Sequence, residues 1–218
     1  MNTTNINSKQ YNDSITVSTL MRDEVIDPKE LKLMRYSRPN DTWEGFPSGN
    51  LGNQHTKDYD IILNGQFWKC TEFLYLCGKW SWEGDDAKAI QEDVRTATSG
   101  KAAKQYKDSR YRKRTRSDWN EIRVPYMLWC VWQKCVNSKK FSNLLLSVPE
   151  DCVITEVEKR DAFWALIEAA DGTLHGKNIM GKILTICRRC LIEGTQPEIA
   201  TDLLNKAGIY LLGEKVTF

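Results

Sequence analysis

Asn64-Gly65-Gln66-Phe67-Trp68-Lys69-Cys70-Thr71-Glu72-Phe73-Leu74-Tyr75-Leu76-Cys77-Gly78-Lys79-Trp80-Ser81-Trp82 is the stretch that decides the fold. Ile61-Ile62-Leu63 before Asn-Gly and Phe67-Trp68 after it predict a hairpin, because tight two-residue turns need left-handed dihedrals that Asn and Gly tolerate. A helix is expected next, with Thr71 as N-cap and Glu72 in the first turn, where a carboxylate meets the positive end of the helix dipole. Glu72 and Lys79 are seven residues apart, about two helical turns, so both project from one face. Phe73, Leu76, Trp80 and Trp82 around them can exclude water, which makes an acid and an amine more responsive to each other and to a substrate. The plainer reading is a surface ion pair on an amphipathic helix.

Glu72, Tyr75 and Lys79 also follow the pattern Glu-x-x-Tyr-x-x-x-Lys, and further pieces surround it. Asn50-Leu51-Gly52-Asn53 lies upstream; Asp118-Trp119, Met127, Lys140-Phe141 and Asp161-x-x-Trp164 follow; Gly176-Lys177-Asn178-x-x-Gly181-Lys182-Ile183-Leu184 runs on to Arg188. In this order and spacing, over about Asn50 to Arg189, the pieces resemble the NADAR (YbiA-like) family. The resemblance implies an α+β fold, a mostly helical single domain with a small antiparallel sheet. It also implies cleavage of an N-glycosidic bond to ribose, either in ADP-ribose attached to guanine or in early riboflavin-pathway intermediates. Glu72 and Lys79 would be catalytic, and the Asn-containing segment would contribute to the pocket wall.

The remaining candidates follow from side-chain chemistry within those pieces. Asn50 and Asn53 can offer amides to ribose or base edges, or serve only as turn residues. Trp119 and Trp164 are candidate stacking surfaces for a base, and Asp161 a partner for a ribose hydroxyl. Ala165 stands where the family pattern has glycine after the tryptophan. The loop from Gly176 through Asn178 to Gly181 feeds a helix whose free amides would suit a diphosphate, with Lys177, Lys182 and Arg188 adding charge. The same loop mimics a P-loop, but Ile183 stands where magnesium binding needs Ser or Thr. Cys187-x-x-Cys190 lies in a helical pattern with no second pair, and the two histidines, His55 and His175, supply little material for a metal site or a serine triad. No cofactor or catalytic metal is expected.

One charge asymmetry stands out in a chain of net charge +2. Lys101, Lys104, Lys107, Arg110, Arg112, Lys113, Arg114 and Arg116 face a single acid, Asp108, with Tyr106 and Tyr111 interleaved. Such a run can track a phosphate backbone while tyrosines stack on bases, or it is simply a solvated face. Paired with the resemblance it points to ADP-ribosylated DNA or a nucleotide as partner.

With 218 residues and 41% hydrophobic content, the chain can build a core. No apolar run reaches the roughly 20 residues that cross a bilayer, and the N-terminus lacks signal-peptide layout. Seven cysteines, an odd number scattered through apolar helices, fit a reducing compartment, so a soluble cytoplasmic protein is expected. Residues 1–40 are read as an N-terminal extension: a disordered lead to Lys9, a strand near Ile15 to Leu20, a short helix after Asp27. Residues 41–218 are read as the catalytic domain. Arg38 to Asp60 should be loop, a helix should run from Asp85 to about Ser99, and Pro125 should kink or delay the helix after Ser117. A strand is expected over Cys152 to Val157, a helix from Pro197 to Ala207, and a strand over Ile209 to Leu212.

These features frame a metal-free glycohydrolase in which the Lys79 amine captures the anomeric carbon as an imine and Glu72 shuttles protons. DNA repair, toxin reversal or counter-defence are settings compatible with it. Hydrolysis of riboflavin intermediates would not need the basic run, and a non-catalytic ADP-ribose reader would not need Glu72 and Lys79.

Overall fold

The computed structural model describes residues 6–55, 61–98 and 110–218, in an α+β fold with seven helices among them. Its contacts divide into two compact units, residues 1–52 with 142–197, and residues 53–141 with 198–218. No helix among the described residues is long and apolar enough to cross a membrane.

The first unit is built on short strands with distant partners. β1 (Glu24–Ile26) pairs antiparallel with β7 (Leu174–Gly176), which pairs with β6 (Leu166–Glu168). β2 (Leu33–Tyr36) runs parallel to β5 (Val153–Glu156). The expected antiparallel sheet is therefore joined by one parallel pair. α1 (Ser8–Ser14) and α6 (Ile179–Glu193) pack on β5. α6 approaches it at Gly181, where a Cβ would sit 2.1 Å from the Ile154 carbonyl oxygen. α1 begins inside the stretch read as a disordered lead, because Asn7 and Gln10 cap each other reciprocally. The strand expected near Ile15 is a 3₁₀ turn, Val17–Thr19, closed by the Thr19 hydroxyl, which donates to the Thr16 carbonyl and accepts from the Thr16 amide. After Asp27 there is one turn in place of a helix, since its carboxylate takes the Lys29 amide. The loop expected from Arg38 carries a 3₁₀ turn at Ser48–Leu51, and residues 56–60 of it lie outside the described part.

The second unit begins with the hairpin that Asn-Gly predicts. β3 (Ile61–Leu63) and β4 (Gln66–Trp68) pair across Asn64 (φ 48°) and Gly65 (φ 70°), both left-handed as a type I′ turn requires. α2 (Thr71–Lys79) follows and packs on α4 (Trp119–Asn137) and α3 (Asp85–Arg95). Cys70, not Thr71, is the N-cap of α2: its backbone is extended, while Thr71 is already helical. α3 stops at Arg95, short of the expected Ser99, where the Ala97 amide takes the tighter i−3 bond to the Val94 carbonyl. α4 runs straight through Pro125. The lost amide bond costs about 3 kcal/mol. Ile122, Tyr126, Met127, Leu128 and Val131 are buried around it, each contributing roughly 1.5–3 kcal/mol. α5 (Lys139–Leu146) leads out of this unit. α7 (Thr201–Ala207) starts after Pro197, not at it, and β8 (Tyr210–Leu211) with β9 (Glu214–Lys215) close the chain.

Candidate active site

α2 carries the candidate acid and amine of the second unit. Glu72 is 7% exposed and Lys79 half-buried, whereas a surface ion pair would leave both open. The Glu72 amide donates to the Asn53 carbonyl (3.1 Å), and the Asn53 side-chain amide reaches the Met127 sulfur (3.2 Å). This ties the loop before the hairpin to both ends of the acid's surroundings. The carboxylate sits in the first turn, where the helix dipole favours negative charge. Its charge adds to burial in pushing up the Cys70 thiol, to about 12, and the Cys130 thiol on α4. One turn on from Glu72, the Tyr75 ring lies 5.0 Å from Trp119 and 6.3 Å from Tyr126. Gly78 lets the helices close: a Cβ there would stand 2.2 Å from the Tyr126 ring, whose hydroxyl donates to the Leu74 carbonyl. The Lys79 amine lies 5.4 Å from the Trp80 ring centroid. Asn53 thus joins Glu72 to Met127, Tyr75 packs on Trp119, and their spacing in sequence puts Glu72 and Lys79 on one face of α2. Trp119 is buried against Tyr75, so it contributes to the wall as much as to an open stacking face.

Lys101, Lys104 and Lys107 lie outside the described residues. Arg112 and Lys113 are exposed. Arg110 pairs with Asp93 (3.4 Å), and Arg114 with Asp86 while lying over Trp82. Arg116 is set apart from the rest of the run by its internal partners. Its side chain is 10% exposed and four of its five N–H groups are engaged, by Asp118, Ser81 and Ala207.

Two positions were missed as candidates. Tyr75 was part of the pattern without a role, and its packing on Trp119 supplies one. Lys134, on α4, is 1% exposed, sits 3.8 Å from the Phe141 ring centroid, and is pushed down to about 7 by burial. Its position seven residues after Met127, on the apolar face of α4, was the available signal.

Asn50, Asp161, Trp164, Gly176, Asn178, Gly181 and Arg188 belong to the first unit. Asn50 sits in the 3₁₀ turn, its amide on the Pro47 carbonyl. Asp161 accepts the amides of Phe163 and Trp164 (3.0 and 2.9 Å), a side-chain-closed turn, and the Trp164 ring packs edge-on against Phe163. The expected diphosphate cradle is structural. The amides of Lys177, Asn178 and Met180 donate to the carbonyls of Ala162, Ala165 and Trp164. Gly176 is glycine because a Cβ would stand 2.7 Å from the Ala162 and Ala165 carbonyls, at φ 144°. Asn178 is fully buried with its side chain bridging Ile154 and Glu156 of β5. Lys182 is buried on Glu24, and Lys177 pairs with Asp23. Arg188 donates to the Val148 carbonyl and lines a cavity of about 230 Å³ with Asn12, Cys152 and Thr185. Among the described residues no cluster of three metal-ligating side chains occurs.

The NADAR domain model matches residues 40–192. The chain belongs to the NADAR family. It is similar to a riboflavin biosynthesis protein of Vibrio vulnificus (strain YJ016), 34% identical over 134 residues, which cover 61% of this chain and 33% of that protein. The chain thus spans about a third of the length of that curated relative. Among solved structures it is similar in fold to the NMR structure of the E. coli protein YbiA, with a TM-score of 0.56 and 21% identity over 75% of this chain and 86% of that one. The matched region begins after β1 and β2, so this NADAR chain builds part of its first unit from residues outside the family model.

Proposed function

We propose that this NADAR chain is an N-glycosidase that releases ADP-ribose from modified guanine bases in nucleic acid. The observation that carries the reading is the buried Glu72 carboxylate sharing one face of α2 with the half-buried Lys79 amine, beside the Tyr75–Trp119 ring pair. A binding module has no use for an acid and an amine so placed. The Lys79 amine bonds to the anomeric carbon as the base departs with a proton from Glu72. The resulting glycosylamine ring-opens to an imine. Water adds to the imine carbon as Glu72 takes its proton, the amine leaves, and one water is consumed overall. Exposed Arg112 and Lys113 support a nucleic-acid substrate, since each phosphate neutralised raises affinity at low salt.

A second reading, hydrolysis of a riboflavin-pathway N-riboside, is favoured by the name of the Vibrio relative and by the internal partners of Arg110, Arg114 and Arg116. Incubation with ADP-ribosylated oligonucleotide and, separately, with a ribosylated pyrimidine distinguishes the two by which one yields free sugar. Borohydride added during turnover should trap a sugar on Lys79. Turnover without any adduct refutes the imine, and no release from either substrate refutes the glycosidase.

A further inference from the structure

Arg116 makes four side-chain hydrogen bonds around the end of α2. Its backbone amide donates to the Lys79 carbonyl (3.0 Å), closing the last turn of the helix. Its guanidinium donates to the Ser81 carbonyl (3.0 Å), two residues beyond Lys79, and to the Ala207 carbonyl (2.5 Å) at the end of α7. It grips Asp118 with two bonds (2.5 and 2.9 Å), and its own carbonyl receives the Trp119 amide (3.3 Å). The backbone at Lys79 and just beyond it is thus held by the residue that also lies two positions before the N-cap of the helix bearing Trp119. Ser81 is fixed a second time, its hydroxyl donating to the Tyr210 carbonyl and accepting the Tyr210 amide.

We propose that Arg116 is the positioning residue of the site, setting where the Lys79 amine stands relative to Glu72 and the Tyr75–Trp119 rings; its consequence for turnover rests on the glycosidase reading. Only a planar, multiply donating cation fits. Lysine has the charge but cannot bond two carboxylate oxygens and two separate carbonyls from one fixed plane. Misplacement of a reacting group by about 1 Å can lower a rate on the order of a hundredfold without weakening substrate binding.

The test is Arg116→Gln and Arg116→Lys, each measured in two ways. Reductive methylation with ¹³C-formaldehyde gives each reagent-accessible lysine a dimethylamine signal, and Lys79→Arg identifies that of Lys79. Arg116→Gln should move the Lys79 signal toward the position of an exposed lysine, lower kcat at least tenfold and leave KM within twofold; Arg116→Lys should fall between. A general loss of structure would change the active fraction and many signals together, not this signal and kcat selectively. Should Arg116→Gln fail to fold, Asp118→Asn removes the charge that Arg116 grips and should give the same two changes in smaller measure. A Lys79 signal that stays in place, with kcat within twofold, overturns the proposal. If the unaltered protein releases no sugar from either substrate, the glycosidase reading fails on its own, and the methyl signal still decides whether Arg116 positions Lys79.

Discussion

Replacing Glu24 by Gln tests whether the Gly176–Lys182 loop is architecture and not an anion site. The Lys182 side chain is wholly buried and its amine has three acceptors: Glu24 (2.8 Å), the Arg22 carbonyl (2.8 Å) and the Thr19 carbonyl (3.2 Å). Three protons meet three partners, so none remains for a phosphate. Burial lowers the Lys182 pKa, and Glu24 pushes it back up. At 2.8 Å the two charges attract by about 6 kcal/mol at an effective dielectric of about 20. Part of that offsets desolvation, and breaking one side of a buried pair typically costs about 3–5 kcal/mol. Glu24→Gln keeps the size and an acceptor but strands the charge, so urea denaturation at neutral pH should show a loss of about 3–4 kcal/mol. Glu24→Gln combined with Lys182→Met should recover most of it, since a neutral side chain of similar volume in place of Lys182 removes the stranded charge. The double variant should also turn over substrate with KM unchanged within about twofold. A loss below about 1 kcal/mol in the single variant, or a KM raised tenfold in the double one, would refute this account of the loop.

Lys134 gives a pH prediction. The unfolded lysine holds its proton to about 10.5 and the folded one only to about 7, so unfolding takes up a proton between those values and stability rises with pH through that window. Lys134→Met should remove that rise and stabilise the protein below pH 7 by roughly 5 kcal/mol, and parallel pH–stability curves would contradict it. Gly78→Ala places a Cβ 2.2 Å from the Tyr126 ring; it should cost about 1–3 kcal/mol in thermal or chemical unfolding and lower kcat through the displaced α2, and a neutral result would mean that the α2–α4 contact is loose. Arg112→Gln with Lys113→Gln should reduce the slope of log affinity against log salt for an oligonucleotide by about 2 in fluorescence titration, and an unchanged slope would exclude both from phosphate contact.

Local signals were legible and long-range partners were not. The Asn64-Gly65 hairpin and the start of the long helix at Trp119 were readable because neighbouring residues alone determine them. β1 and β2 are three and four residues long, too short for alternation to register, and their partners β7 and β5 lie more than a hundred residues away in sequence. Arg116 looked like the end of a basic run because its partners, Ser81, Ala207 and Asp118, are carbonyls or a single acid that composition does not display. Lys182 looked like spare charge for the same reason, as Glu24 is far upstream and outside the family match.

The pieces that identify the family therefore divide by the physical work they do. Gly176, Asn178 and Gly181 have side-chain requirements met entirely from within: two close approaches that exclude a Cβ and one buried amide that bridges β5. A role of that kind needs no ligand, and a change there would disturb folding before chemistry. Glu72 differs in kind. A carboxylate buried in the first turn of α2 gains from the helix dipole, yet an apolar or amide side chain would fill the same space with no charge to desolvate. The proposed function adds a use for the acid at that position, proton transfer at a glycosidic nitrogen. Lys79, held at the other end of the same face by the Arg116 clamp, is the group for which such an acid would act.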